Sequence, residues 1–215
     1  MTLVELLDHM GDDMAVVDAA RVSLDKRSDM YTPEENEKLI KYLARHKHWT
    51  PFAQVTLKFR MHMPIFVARQ YFKHTVGLVR NEVSRRYVKD AVSIWRPEVW
   101  REQSASIKQG SAGPLPMEIQ KDCDRMYIES VSLAEQTYRS LISKGVCAEQ
   151  ARAVLPQSMM TQFIETGSLA AYHRIYQLRS DPHAQVEIQE YAKLIGEFAE
   201  QVAPLSWKYL NMGKP

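Results

Sequence analysis

The amino-acid sequence specifies a helix-rich α+β fold with few strands. Three observations carry that reading. Residues 117–144 hold Ile119, Met126, Tyr127, Val131, Ala134, Tyr138, Leu141 and Ile142 at helical spacing. The runs at 54–61 and near 158–166 read as strands. Start and stop signals bracket the periodic segments, Thr32-Pro33-Glu34-Glu35 opening one helix and Gly145 closing another.

In chain order, residues 3–7 (LVELL) favour a short strand and 14–24 (MAVVDAARVSL) a short amphipathic helix. Thr32 can cap the next helix, Pro33 suits its first position and Glu35 completes a capping box. Leu39, Ile40 and Leu43 then face inward. In QVTLKFRM, Val55, Leu57 and Phe59 alternate with polar neighbours, the pattern of a half-buried strand. Pro64 opens a helix over IFVARQYFKHT, with Ile65, Phe66, Ala68 and Phe72 as core candidates. Residues 84–95 read as extended, and 102–116, rich in Gly, Ser, Pro and Gln, as a mobile surface connection. After Gly145 come a short helix at 148–154, the second strand, a helix at 168–178 and a last helix from Pro182 to about Val202. Asp181, preceding a proline, should break those two apart.

A chain of 215 residues is long enough for one substantial core, and 45% hydrophobic with 25% charged residues is ordinary for a globular protein. The net charge of +2 provides no global field for nucleic acid or an anionic membrane, so anion binding must come from local clusters. MTLVELLDHMGDD lacks the basic start of a signal peptide, and no apolar run approaches a membrane span. Cys123 and Cys147 have no metal-ligand spacing and are expected to be free thiols in a cytoplasmic protein.

Three clusters could carry chemistry. Residues 69–87 (RQYFKHTVGLVRNEVSRRY) place Arg69, Lys73, Arg80, Arg85 and Arg86 around a Gly77 loop, the mix of charge and directional donors that phosphate requires. Residues 178–191 bring Arg179, Asp181, His183, Gln185 and Glu187 to an expected helix start. Residues 45–54 hold His46 and His48, whose i,i+2 spacing does not suit a metal, and no metal site is expected. Taken singly, a solvated basic loop and a capped amphipathic helix are the better accounts of the first two clusters. With eight glycines and no GxGxxG or P-loop, a Rossmann mode of FAD or NADPH binding is not expected.

Together and in this order, these segments resemble the flavin-dependent thymidylate synthases, the ThyX family. AARVSLDK at 19–26, TPF at 50–52, PIFVARQ at 64–70, NEVSRRY at 81–87, ARAVLP at 151–156 and LRSDPHAQVEIQEYA at 178–192 carry the resemblance. Two departures stand out. The family's Arg-His-Arg, seven residues, then Ser becomes Lys73-His74-Thr75 with eight residues before Ser84. Arg80, inside the longer loop, is expected to restore the charge lost at Thr75. Ser168 and Ala170 stand where many members have a flavin-contacting Asn-x-Arg.

The resemblance implies one domain over residues 1–215, helix-rich around a small, mainly antiparallel sheet. It implies a homotetramer that methylates dUMP to dTMP with FAD, NADPH and methylenetetrahydrofolate, binding neither nucleic acid nor membrane. Carried over by position, Gln70, Lys73, Glu82, Ser84, Arg86, Arg152 and Arg179 match dUMP-contacting places. Thr50, Lys73, His74, Thr75, Glu82, Ser168, Arg174 and His183 match FAD-contacting places, and His48 the approach of folate to flavin. Arg179 is the expected catalytic residue: a guanidinium beside N3 and O2 of uracil favours an anionic ring with a nucleophilic C5, so no cysteine need attack C6. Two other readings stand beside this one. One is a noncatalytic nucleotide- or RNA-binding module using 69–87, with Tyr71, Phe72 and Tyr87 for stacking. The other is a family member that binds flavin and nucleotide but has lost methyl transfer.

Overall fold

The computed structural model describes residues 2–89, 92–105 and 110–212. It is helix-rich with a small antiparallel sheet, as the sequence specifies. The four-stranded sheet has the order β1-β2-β6-β3. Its strands are β1 (Val4–Met10), β2 (Thr56–Pro64), β3 (Leu78–Glu82) and β6 (Met160–Ser168). Strand β1 runs antiparallel to β2, Val4 opposite Met61 and Met10 opposite Thr56, with a register break between Leu6 and Asp8. Period-two patterning is strict in β2, where Leu57, Phe59, Met61 and Met63 are fully buried.

The chain groups into two compact units. The first comprises Met1–Met61, Lys73–Asn81 and Ile164–Pro215. Here α1 (Asp13–Arg21) starts on Asp12, whose carboxylate accepts from Met14 N and Ala15 N. Helix α2 (Pro33–Arg45) has the expected capping box, Thr32 and Glu35 satisfying each other's backbone N–H. Its inward face is Asn36, Ile40 and Leu43. A single turn, α3 (Trp49–Phe52), leads into β2. Helices α7 (Leu169–Arg179) and α8 (Val186–Val202) approach closely at Gly196, where a Cβ would lie 2.7 Å from the Tyr176 ring. Helix α9 (Pro204–Met212), which periodicity did not foretell, is anchored by Asp13: its carboxylate accepts from Leu205 N at 2.9 Å and Ser206 N at 2.7 Å. Val16, Val17, Phe59, Tyr172, Ile195 and Trp207 form the heart of this unit. Each large apolar side chain withdrawn from water there contributes about 1.5–3 kcal/mol.

The second unit comprises His62–Phe72 and Glu82–Phe163. Helix α4 (Ile65–Tyr71) begins at Pro64, which supplies no side-chain cap; Ile65 N and Phe66 N donate instead to the carbonyls of Met159 and Gln157. It ends before Lys73, and its buried face is Val67, Ala68 and Tyr71, with Ile65, Phe66 and Phe72 only half-buried. The long helix α5 (Met117–Ser143) stops before Gly145, whose φ of +87° provides the left-handed turn. Helix α6 (Ala148–Ala151) passes into a 3-10 turn at Arg152–Val154.

Three local expectations are corrected. Residues 85–87 form a turn, because the Ser84 carbonyl accepts from both Tyr87 N and Val88 N; residues 90–91 of that segment lie outside the described ones. The arms of the 102–116 segment pair as a hairpin, β4 (Arg101–Gln103) with β5 (Ser111–Pro114), held by Arg101 Nε donating to Ser111 Oγ at 2.8 Å. Residues 106–109 lie outside the described ones. Helix α8 starts at Val186 and not Pro182, since Ala184 N and His183 N are drawn back to the Asp181 carbonyl and carboxylate.

Candidate active site

The first unit gathers His74 from the loop after α4, Arg80 from β3, and Arg174 and Arg179 from helix α7. Gly77 holds the loop in a left-handed turn at φ +78°. A Cβ there would meet Ala171 Cβ at 3.3 Å, so the loop lies directly on the first turn of α7. Ser168 caps that helix, its Oγ accepting from Ala171 N at 3.2 Å. Arg174 ties the loop down by donating from Nη2 to the Val76 carbonyl at 2.7 Å.

Arg179 donates from Nε to Nε2 of His74 at 3.0 Å. An imidazole nitrogen that accepts carries no proton, so His74 is neutral with its hydrogen on Nδ1. Burial pushes the His74 pKa below the usual imidazole value, and the Arg179, Arg80 and Arg174 charges push the same way. Burial also lowers the pKa of Arg179. Among the described residues Arg179 makes no ion pair, so a partly buried guanidinium stands without a carboxylate.

Arg80 differs from its expected role. Its Nε is paired with the fully buried carboxylate of Glu165, and its Nη2 donates to the His74 carbonyl. The charge neutralises Glu165 and braces the loop. Tyr172, its hydroxyl bonded to the Glu165 carbonyl at 3.4 Å, has its pKa driven far up by burial. Sequence reading missed Glu165, because a lone acid in an alternating strand looks like a solvent-facing position. Lys73 and Thr75 are exposed, as are His48, Thr50 and His183. His183 sits in the turn before α8 and not on the helix itself.

The other nucleotide candidates belong to the second unit. Glu82 accepts from Thr161 Oγ1 at 2.5 Å. Ser84 Oγ accepts from Arg86 N at 3.3 Å. Arg86 and Arg152 converge on Glu149: Arg86 Nε is 3.8 Å from its carboxylate, and Arg152 Nε donates to its carbonyl at 3.2 Å. Gln70 keeps a buried amide oxygen with no hydrogen-bond partner among the described residues. Such an acceptor is costly unless a ligand N–H completes it, and an imide N–H is a donor of that kind.

For a flavin dinucleotide the donor set of the first unit fits. Lys73 and Arg174 provide exposed cations, Thr50 and Thr75 exposed hydroxyls, and the Gly77 turn a backbone that can approach a ligand closely. Among the described residues no cluster of His, Cys, Asp or Glu could hold a metal ion. Cys123 and Cys147 are free; Cys147 is exposed with its Sγ 3.7 Å from Gln150 Oε1. No helix among the described residues is long and apolar enough to cross a membrane.

Residues 5–205 match the family described as thymidylate synthase complementing protein. A flavin-dependent thymidylate synthase of Thermus thermophilus is 40% identical over 204 residues, 95% of this chain and 73% of that protein. Another, from Thermosipho melanesiensis, is 37% identical over 205 residues, covering 95% of this chain and 88% of its own. The crystal structure of a UMP/dUMP methylase, PolB from Streptomyces cacaoi, bound with 5-Br dUMP, is similar with a TM-score of 0.87 at 26% identity. The match covers 97% of this chain and 94% of that one.

Proposed function

Because the chain belongs to the thymidylate synthase complementing protein family, the flavin-dependent thymidylate synthases, we propose that it methylates C5 of the uracil ring of dUMP. The balanced reaction is dUMP, methylenetetrahydrofolate, NADPH and a proton giving dTMP, tetrahydrofolate and NADP. The observation that carries the reading is Arg179, a partly buried guanidinium with no carboxylate among the described residues and its Nε fixed by neutral His74. A cation so placed favours a ligand that gains negative charge. Directed at N3 and O2 of uracil, it draws the ring toward its N3 anion and makes C5 nucleophilic without a thiolate at C6.

When bound, FAD supplies the hydride that NADPH provides. The chain's own residues bind and orient. Lys73, His74, Thr75, Thr50, Ser168, Arg174, His183 and Glu82 would hold the flavin dinucleotide, with His48 at the folate approach. Gln70, Lys73, Glu82, Ser84, Arg86, Arg152 and Arg179, contributed by several subunits as the family resemblance implies, would contact dUMP, Gln70 offering its orphaned oxygen to the base and the arginines their charge to the phosphate. Residues 1–215 would act as one catalytic domain, assembled as a homotetramer in the cytoplasm.

The test is turnover of dUMP labelled with tritium at C5, with methylenetetrahydrofolate, FAD and NADPH, beside UMP under the same conditions. Tritium release with dTMP formation is expected. Release from neither nucleotide by a folded, flavin-loaded protein would leave a flavin-binding protein without methyl transfer, and release from UMP alone would reassign the substrate.

A further inference from the structure

A cavity of about 790 Å³ opens in the first unit between α2, the α2–α3 connection, α7 and α9. That size suits a small organic ligand. His48 and Arg174 line it, and so do residues with no part in the site above: Lys41, Arg45, Lys47 and Trp49. Among the described residues no acidic side chain lines it. Lys41 and Arg45 stand four residues apart on α2, hence on one face about 6 Å apart, and Lys47 lies just past the helix end in the α2–α3 connection. Neither Arg45 nor Lys47 has an ion-pair or hydrogen-bond partner for its side chain among the described residues.

Two features go beyond a charged surface. Lys47 has a φ of +58°, the left-handed region that disfavours a residue with a Cβ, so this cation sits at a place where glycine would be less strained. Trp49 leaves 60% of its surface exposed while lining the cavity, a flat apolar wall beside the cations. Strain, unpaired charge and an open indole at one rim point to a ligand with an aromatic ring followed by several anions.

We propose that this cavity takes the p-aminobenzoyl-glutamate end of the folate cosubstrate, and that the chain prefers folates carrying several glutamates. This rests on the dUMP-methylation reading. Trp49 packs on the benzoyl ring, and Lys41, Arg45 and Lys47 meet the carboxylates. Cations strung along a helix match charges strung along a peptide tail. A diphosphate asks instead for donors converging on one point, commonly at a helix N-terminus, and Lys41 and Arg45 lie toward the C-terminal end of α2.

The experiment compares methylenetetrahydrofolate bearing one and three glutamates, with dUMP, FAD and NADPH saturating. The KM for the triglutamate is expected to be lower by about tenfold, as two additional partly exposed ion pairs supply. The ratio should shrink in high salt and collapse toward one in Lys41→Gln/Arg45→Gln/Lys47→Gln. Lys47→Gly alone should lower the ratio while raising the melting temperature, because it removes charge and strain together. Calorimetry with p-aminobenzoyl-triglutamate should show binding to the wild-type chain and not to the triple variant. Normal dTMP formation with equal KM for both folates overturns the proposal and leaves the function standing. An unchanged ratio with weakened FAD or NADPH binding in the triple variant assigns the cavity to that dinucleotide and likewise overturns it. Fragment binding without any dTMP formation supports the cavity and removes the methylation reading.

Discussion

Arg179 and His74 hold one another in a pair that neither residue type would reveal alone. If Arg179 stabilises charge developing on the pyrimidine, Arg179→Ala should lower kcat by two orders of magnitude or more, about 3 kcal/mol, with a smaller change in dUMP affinity. Arg179→Lys should rescue poorly, since an ammonium cannot span two ring atoms. Single-turnover dTMP formation beside flavin reduction separates these effects, and near-normal turnover in the alanine variant removes Arg179 from the chemistry. His74 carries a pH dependence whose sign is fixed. Its pKa in the folded chain is lowered, so on acidification the unfolded chain takes the proton first. This residue's contribution to stability is therefore full above about pH 6.5 and declines as pH falls from there to the lower folded value. Urea unfolding of wild type and His74→Gln at several pH values checks it; the difference between them should narrow on acidification. Arg80 is a third case. Arg80→Ala strands the Glu165 carboxylate in the core and should cost about 3 kcal/mol of stability. Arg80→Met with Glu165→Gln should recover most of it. Unaltered stability with weakened flavin binding would restore the ligand role to Arg80.

Among the elements, α9 shows how a distant side chain starts a helix. Pro204 opens it without a capping hydroxyl, and the carboxylate that accepts its first N–H groups comes from Asp13, at the beginning of α1. Asp13→Ala should destabilise the chain by about 2 kcal/mol, and Asp13→Asn by less, because an amide oxygen still accepts. Hydrogen exchange at Leu205 and Ser206 reads the effect locally; unchanged protection there would mean that packing of Trp207 alone sets the helix. The capping box of α2, the stop at Gly145 and the alternation of β2 were legible because each signal lies within a few residues of the element it governs. The hairpin at β4 and β5 and the turn at 85–87 were not legible, since Gly, Ser and Pro mark irregular backbone without saying which carbonyls will receive its N–H groups.

For the molecule as a whole, motif order carried the family and with it the helix-rich fold with a small sheet. The proposed chemistry makes a demand on the entire chain: no thiol is required. Cys123→Ser with Cys147→Ser should therefore retain at least about half of the wild-type dTMP synthesis, since exposed or half-exposed cysteines change stability little. Loss of turnover in a variant that still folds and binds FAD would put a cysteine back into the mechanism.

Periodicity, caps, turns and the succession of motifs are properties of neighbouring residues, so reading along the chain sufficed for the helices, the main strands and the family. Where charges are spent is a property of the folded chain. Arg80 could be weighed as a ligand contact until Glu165, 85 residues away, was found against it. His74 and Arg179, 105 residues apart, become one unit only when α7 lies on the Gly77 loop. Lys41, Lys47 and Trp49 line one cavity with α9 residues that no local pattern links to them. The physical reason is that burial and pairing energies depend on distance in space, and chain closure brings together groups whose sequence separation is arbitrary.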